Sequence, residues 1–149
     1  MLGHVHQNEI IGNCGISTLS FIIGLFQFQS VCFQVVLVDQ SGHQVPGCYG
    51  SHVNKGNQSL GQPLSLCDAG ENHILVSDYR QHRVHLVTTQ LQFVRHLVAR
   101  DNSTGVLTCI GDTSRGVTFP RQICLDSGLL FIGTYSGQIG IYRVQQEQL

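Results

Sequence analysis

Pro63-Leu64-Ser65-Leu66-Cys67-Asp68 returns further along the chain as Pro120-Arg121-Gln122-Ile123-Cys124-Leu125-Asp126. The residues after each stretch are also alike. A glycine turn comes first, at Gly70 and at Gly128. An apolar run comes next, Ile74-Leu75-Val76 in one copy and Leu129-Leu130-Phe131-Ile132 in the other. Then come Ser77-Asp78-Tyr79 and Gly133-Thr134-Tyr135, a short polar loop, and Val84-His85-Leu86 against Ile139-Gly140-Ile141. Short apolar runs bounded by Gly, Asn and Asp read as strands joined by turns. Each copy therefore predicts strand, turn, strand, loop, strand, and residues 92–98 supply a fourth strand to the first copy.

Working outward, Val35-Val36-Leu37-Val38 is a β-branched run that ends in the turn cluster Asp39-Gln40-Ser41-Gly42. Val45 to Tyr49 can return beside it as a hairpin partner, and a Gly- and Asn-bearing loop then runs to about Gly61. The expected class is all-β, a partial, open β-propeller of four-stranded antiparallel blades, because one such blade cannot bury both its faces alone and must stack on others. Closed propellers use about 4–8 blades, so the chain is expected to be a fragment or to complete a ring with another chain. Self-association through open blade edges is the corresponding expectation.

Residues 1–33 read differently and are set apart from the repeat region, 34–147. No charged residue occurs between Glu9 and Asp39, and residues 16–38 are long and apolar enough to suggest a membrane span. Gln27, Gln29 and Gln34 interrupt that stretch, no Lys or Arg flanks its start, and Phe26-Gln27-Phe28-Gln29 alternates with the period of a strand. A strand is the better reading, membrane attachment is not expected, and a cytoplasmic location is.

Composition narrows the function classes. The 149 residues hold 8 Lys and Arg against 9 Asp and Glu, for a net charge of -1, which argues against nucleic-acid binding by bulk charge. Charged residues are 11% and hydrophobic residues 42%, with 17 Gly and no Trp, which suits a turn-rich β protein. The 6 cysteines, at 14, 32, 48, 67, 109 and 124, contain no C-x-x-C pair. They read as buried free thiols, with a disulfide framework as the alternative in a secreted chain. In that setting Asn57-Gln58-Ser59 and Asn102-Ser103-Thr104 would be glycosylation sequons. No complete catalytic motif is present, and neither a cofactor nor a metal is expected. His82 and His85 have H-x-x-H spacing, but on a strand such positions face opposite ways.

Leu75-Val76-Ser77-Asp78-Tyr79-Arg80-Gln81-His82-Arg83-Val84 resembles the NHL repeat, whose core pattern is V-x-D-x-x-N-x-R-[IV]. Asp78, Arg83 and Val84 match, and Gln81 stands where Asn is usual. The later copy resembles a degenerate closing repeat, and residues 36–42 resemble the tail of a preceding one. The resemblance is to the C-terminal propellers of tripartite-motif and Brat-like proteins and spans roughly 34–145. It implies a non-catalytic module that binds a protein or single-stranded RNA through one propeller rim. The Cys/His zinc module that carries ubiquitin transfer in tripartite-motif ligases is not in this sequence, although the chain could be part of such a ligase. The alternative class is a propeller hydrolase or lyase.

Arg80, His82, Arg121 and Tyr135 are the candidate partner-binding residues, since loops on a rigid scaffold carry recognition. Six Arg against two acids between 80 and 121 could make a phosphate-binding patch, and Phe119 and Tyr135 could stack on bases. Facing water at the surface and packing at the rim are the ordinary roles for the same residues. Asp78 and Arg83 are expected to fix the loop between second and third strands, as an ion pair or through turn hydrogen bonds.

Overall fold

A computed structural model describes residues 10–14, 21–28, 32–39, 41, 43–50, 59–101, 105–111 and 116–149. The sequons at Asn57 and Asn102, and Arg115 of the arginine group, lie outside the described residues.

Among the described residues eleven strands, β1 to β11 in chain order, form three antiparallel sheets. The first sheet holds β1 (Ile10–Cys14), β2 (Phe21–Phe28), β3 (Cys32–Asp39) and β4 (Gln44–Tyr49). The second holds β5 (Pro63–Gly70), β6 (His73–Asp78), β7 (Arg83–Thr88) and β8 (Phe93–Ala99). The third holds β9 (Pro120–Asp126), β10 (Leu129–Thr134) and β11 (Ile139–Arg143). In each sheet, spatial order follows chain order, so neighbouring strands are consecutive in the chain. The all-β class and the strand pattern of the two repeat copies are as the sequence implies.

Residues that the sequence sets apart join the first sheet. β2 pairs with β3 along its whole length, from Phe21 opposite Asp39 to Phe28 opposite Cys32, so the sheet continues across residue 33. Within the apolar run that suggested a membrane span, residues 21–28 and 32–38 are strand, as the period of two implies. Among the described residues no helix is long and apolar enough to cross a membrane.

The second sheet is the middle layer. Ile74, Val76 and Val87 pack with Val35, Tyr49, Leu60 and Leu91 on one side. Leu75, Val84, Leu86 and Leu97 pack with Ile123, Leu130, Ile132, Tyr142 and Val144 on the other. Successive strand residues point to opposite faces, so a strand covered on both faces must be apolar throughout. That is why His73-Ile74-Leu75-Val76 lacks the polar alternation of a surface strand. Burying each of these aliphatic side chains is worth about 1.5–3 kcal/mol. The first strands stay together: β5 lies beside β1 on one side and β9 on the other.

The third sheet has an edge the sequence did not signal. Cys109 forms an antiparallel bridge with Tyr142, and the Ile110 amide donates to the Ile141 carbonyl at 2.7 Å. Cys109 and Ile110, which follow β8 in the chain, therefore lie along the outer edge of β11. Cys48, Cys67, Cys109 and Cys124 are free thiols, so none of these four contributes to a disulfide framework. Three of them are less buried than expected: Cys124 is exposed, and Cys48 and Cys67 are only partly covered.

Candidate functional site

Asp78 ends β6 with no exposed surface, and its carboxylate organises everything around it. Oδ2 accepts from the Gly61 amide at 2.7 Å, and Oδ1 accepts from Gln62 and Gln81 at 3.0 and 3.2 Å. A buried carboxylate needs such donors, and amide bonds to a charged acceptor are the stronger kind. The three bonds tie the chain entering β5 to the β6–β7 turn. The Tyr79 amide adds a bond to the Gln62 carbonyl at 2.9 Å, and Gln81 Nε2 donates to Ser59 Oγ at 3.1 Å. Gly61 is required by the closeness of this seam, because a Cβ there would lie 2.9 Å from Cβ of Arg80.

Arg83 sits opposite Asp78 in the strand register, yet the Asp78 oxygens meet backbone amides and, at 3.8 Å, Nε2 of His85. Of the two expected forms of loop fixation, turn hydrogen bonds are what Asp78 makes.

The turn so fixed carries an aromatic cluster. His82 lies in the turn itself, at φ +55°, rather than on a strand. Its Nδ1 accepts from the Phe119 amide at 2.9 Å, and the two rings meet edge-on with centroids 4.3 Å apart. Phe119, also left-handed at φ +48°, accepts at its carbonyl from the Tyr135 amide at 3.0 Å. Tyr79 lies close to two of these rings, 5.0 Å from Phe119 and 6.1 Å from Tyr135 by centroids. The Arg121 guanidinium carbon is 5.9 Å from the centre of the Tyr135 ring, within cation–π range. Tyr135 is 67% exposed and Phe119 40%. Burial and then the nearby Arg100 guanidinium hold the His82 imidazole below its usual range, with Asp78 partly opposing.

Three of the four candidate residues, His82, Arg121 and Tyr135, thus meet in one cluster at one end of the second and third sheets. Arg80 is exposed on the same turn but outside the ring contacts. Tyr79 was not singled out in the sequence. Its signal was there, since the self-match aligns Tyr79 with Tyr135 and so places both rings at the same end of adjacent sheets.

A second polar group lies deeper. Tyr49 Oη and His85 Nδ1 are 2.8 Å apart, and the His85 ring packs edge-on against His96 at 4.6 Å. Burial, with His96 and Arg83 adding to it, pushes the His85 imidazole down to about 3. Burial and the Asp78 charge raise the Tyr49 phenol well above its ordinary value. This group is sealed from solvent and serves the packing of first sheet on second. His82 and His85 point to different surroundings, and among the described residues no three His, Cys, Asp or Glu converge as metal ligands. At the opposite end, a cleft of about 410 Å³ opens between Gly70, Leu125, Ser127, Gly128 and Leu149. Asp68 also lines it, and its carboxylate is engaged by the Gly70 amide at 2.8 Å.

No family model matches the chain, and no curated protein matches it. Among solved structures, the chain is similar to an auxiliary nutrient-binding protein from Bacteroides thetaiotaomicron, with a TM-score of 0.53 and 14% identity. That likeness covers 83% of this chain and 34% of the other, so this chain spans about a third of that protein's length, and it concerns the fold alone. A computationally designed protein, Ika4, aligns over 95% of both chains at 12% identity with a TM-score of 0.43.

Proposed function

We propose that the three sheets are consecutive blades of an NHL-like β-propeller and that the chain is a non-catalytic recognition module. Its contact surface is the rim built by Tyr79, His82, Phe119, Arg121 and Tyr135, and its partner is a protein. The observation that carries this reading is Tyr135, two-thirds exposed yet held between Tyr79 and the Arg121 guanidinium. Tyr and Arg in pre-ordered clusters are the residues that dominate binding energy at protein interfaces. The rigid support supplied by Asp78 lowers the entropy lost on binding. The chain's slight negative charge favours a protein over a polyanion.

The test is selection of binders from a displayed peptide library, followed by titration against variants. Tyr135→Ala and Arg121→Ala should each weaken the selected binders at least tenfold, while Ser127→Ala at the opposite end should not. Binders indifferent to both rim substitutions would refute the rim. Retention of single-stranded RNA, with a salt dependence that flattens in Arg121→Ala, would replace the protein by RNA as the partner.

A further inference from the structure

The outer face of the third sheet repeats a face that is buried one sheet earlier. In the second sheet, Cys67, Leu75 and Leu86 stand opposite one another across β5, β6 and β7. Leu75 and Leu86 are fully buried there against the third sheet. The equivalent row in the third sheet is Cys124, Phe131 and Ile141, paired in the same way across β9, β10 and β11. Ile141 and its neighbour Ile139 are 36% and 67% exposed, and Cys124 is exposed. The inward residues Leu130, Ile132 and Tyr142 already face the second sheet, so this apolar row faces away from it.

The next row carries charge of both signs. Asp126 stands opposite Leu129, and Leu129 stands opposite Arg143. Asp126 and Arg143 are both exposed, on β9 and β11 to either side of β10. Two strand spacings separate them by roughly 10 Å, too far for an ion pair within the chain. Asp126 accepts a bond from the Ser127 hydroxyl at 3.3 Å and is exposed.

We propose that this face binds the same face of a second copy of the chain. A two-fold axis along β10 lays β9 of each copy over β11 of the other while keeping the rows level. Phe131 then lies at the axis, the Cys124 and Ile141 rows close on each other, and Asp126 of each copy meets Arg143 of the other. The face is complementary to itself in charge as well as in apolar surface, which is what an isologous interface requires. Turning the copy about an axis across the strands instead sets Asp126 over the Gln122 row and pairs nothing.

The experiment is sedimentation or light scattering of the full chain. The wild type should be a dimer in the micromolar range and should not grow beyond two copies. Asp126→Arg and Arg143→Asp should each raise the dimer dissociation constant at least tenfold, since each sets like charges together. An equimolar mixture of the two variants should recover a dimer, because every pair in the mixed species is again opposite in sign. Recovery also shows that both variants are folded. A monomeric wild type, a dimer indifferent to either variant and to Ile141→Lys, or open-ended assembly would overturn the proposal. None of these outcomes bears on the Tyr135 rim, which lies at the sheet end and is tested separately.

Discussion

Tyr49 on β4 and His85 on β7 meet across the boundary between first and second sheets, Oη to Nδ1 at 2.8 Å. The Asp78 carboxylate lies toward the other ring nitrogen, 3.8 Å away. An acceptor there favours the tautomer with its proton on Nε2, which leaves Nδ1 as the acceptor and makes the Tyr49 hydroxyl the donor. At 3.8 Å the Nε2–H completes no hydrogen bond, so among the described residues the phenol is the hydrogen-bond partner of a buried imidazole. Tyr49→Phe should therefore cost about 1–3 kcal/mol, the penalty for a buried polar atom left unmade. Urea unfolding should show a lower midpoint at unchanged slope.

The same imidazole sets an acid limit. Its affinity for protons falls from an ordinary value of 6.5 to about 3 on folding. Between those values the unfolded chain holds the proton and the folded chain does not, so stability rises with pH across that window. The contribution is full above about 6.5 and is lost as pH falls toward 3. Urea midpoints measured from pH 7 down to pH 4 should decline steadily. His85→Gln should flatten that decline even where it lowers the midpoint at pH 7.

Asp78 holds two loops with one side chain. Asp78→Ala strips the partners from the Gly61, Gln62 and Gln81 amides and should cost about 2–4 kcal/mol, as loss of a buried charged acceptor does. Asp78→Asn keeps one good acceptor oxygen and should cost less. Amide hydrogen exchange should quicken at Gly61 and Gln62 in both variants, and more in the first.

The strands were legible because their signals are local. The run Ile74-Leu75-Val76 and the turns at Gly70 and Gly128 specify hairpins without reference to the rest of the chain. The self-match also placed the sheets in order. What stayed hidden is carried by contacts between sheets. Nothing near Tyr49 announces His85, thirty-six positions on, and nothing near Cys109 announces an edge on β11. Asp78 was readable as a turn residue from its type, but its amide partners at Gly61 and Gln62 come from a loop whose path depends on the stacking. The rim was half legible for the same reason. Arg80 and Arg121, with His82 nearby, could be assigned to one end by counting strands, while the Phe119 link from His82 to Tyr135 needs a left-handed backbone that its residue type disfavours.

That link makes the rim itself sensitive to acid. His82 Nδ1 holds the Phe119 amide through its lone pair, and a protonated ring offers none. Burial and Arg100 keep the ring neutral below its ordinary range, so the bond is intact at neutral pH. Folded His82 binds its proton less readily than the unfolded chain, so this contribution, too, is lost as pH falls and not as it rises. Unlike His85, the ring is only partly covered, and its protonation should release one loop without unfolding the sheets. The Phe119 and Tyr135 amide resonances should shift together on acidification, at a pH above that of global unfolding. His82→Gln restores a side-chain acceptor without a titrating ring, so it should remove the pH dependence of both resonances. If those resonances still titrate in His82→Gln, the acid-sensitive group at the rim is not His82.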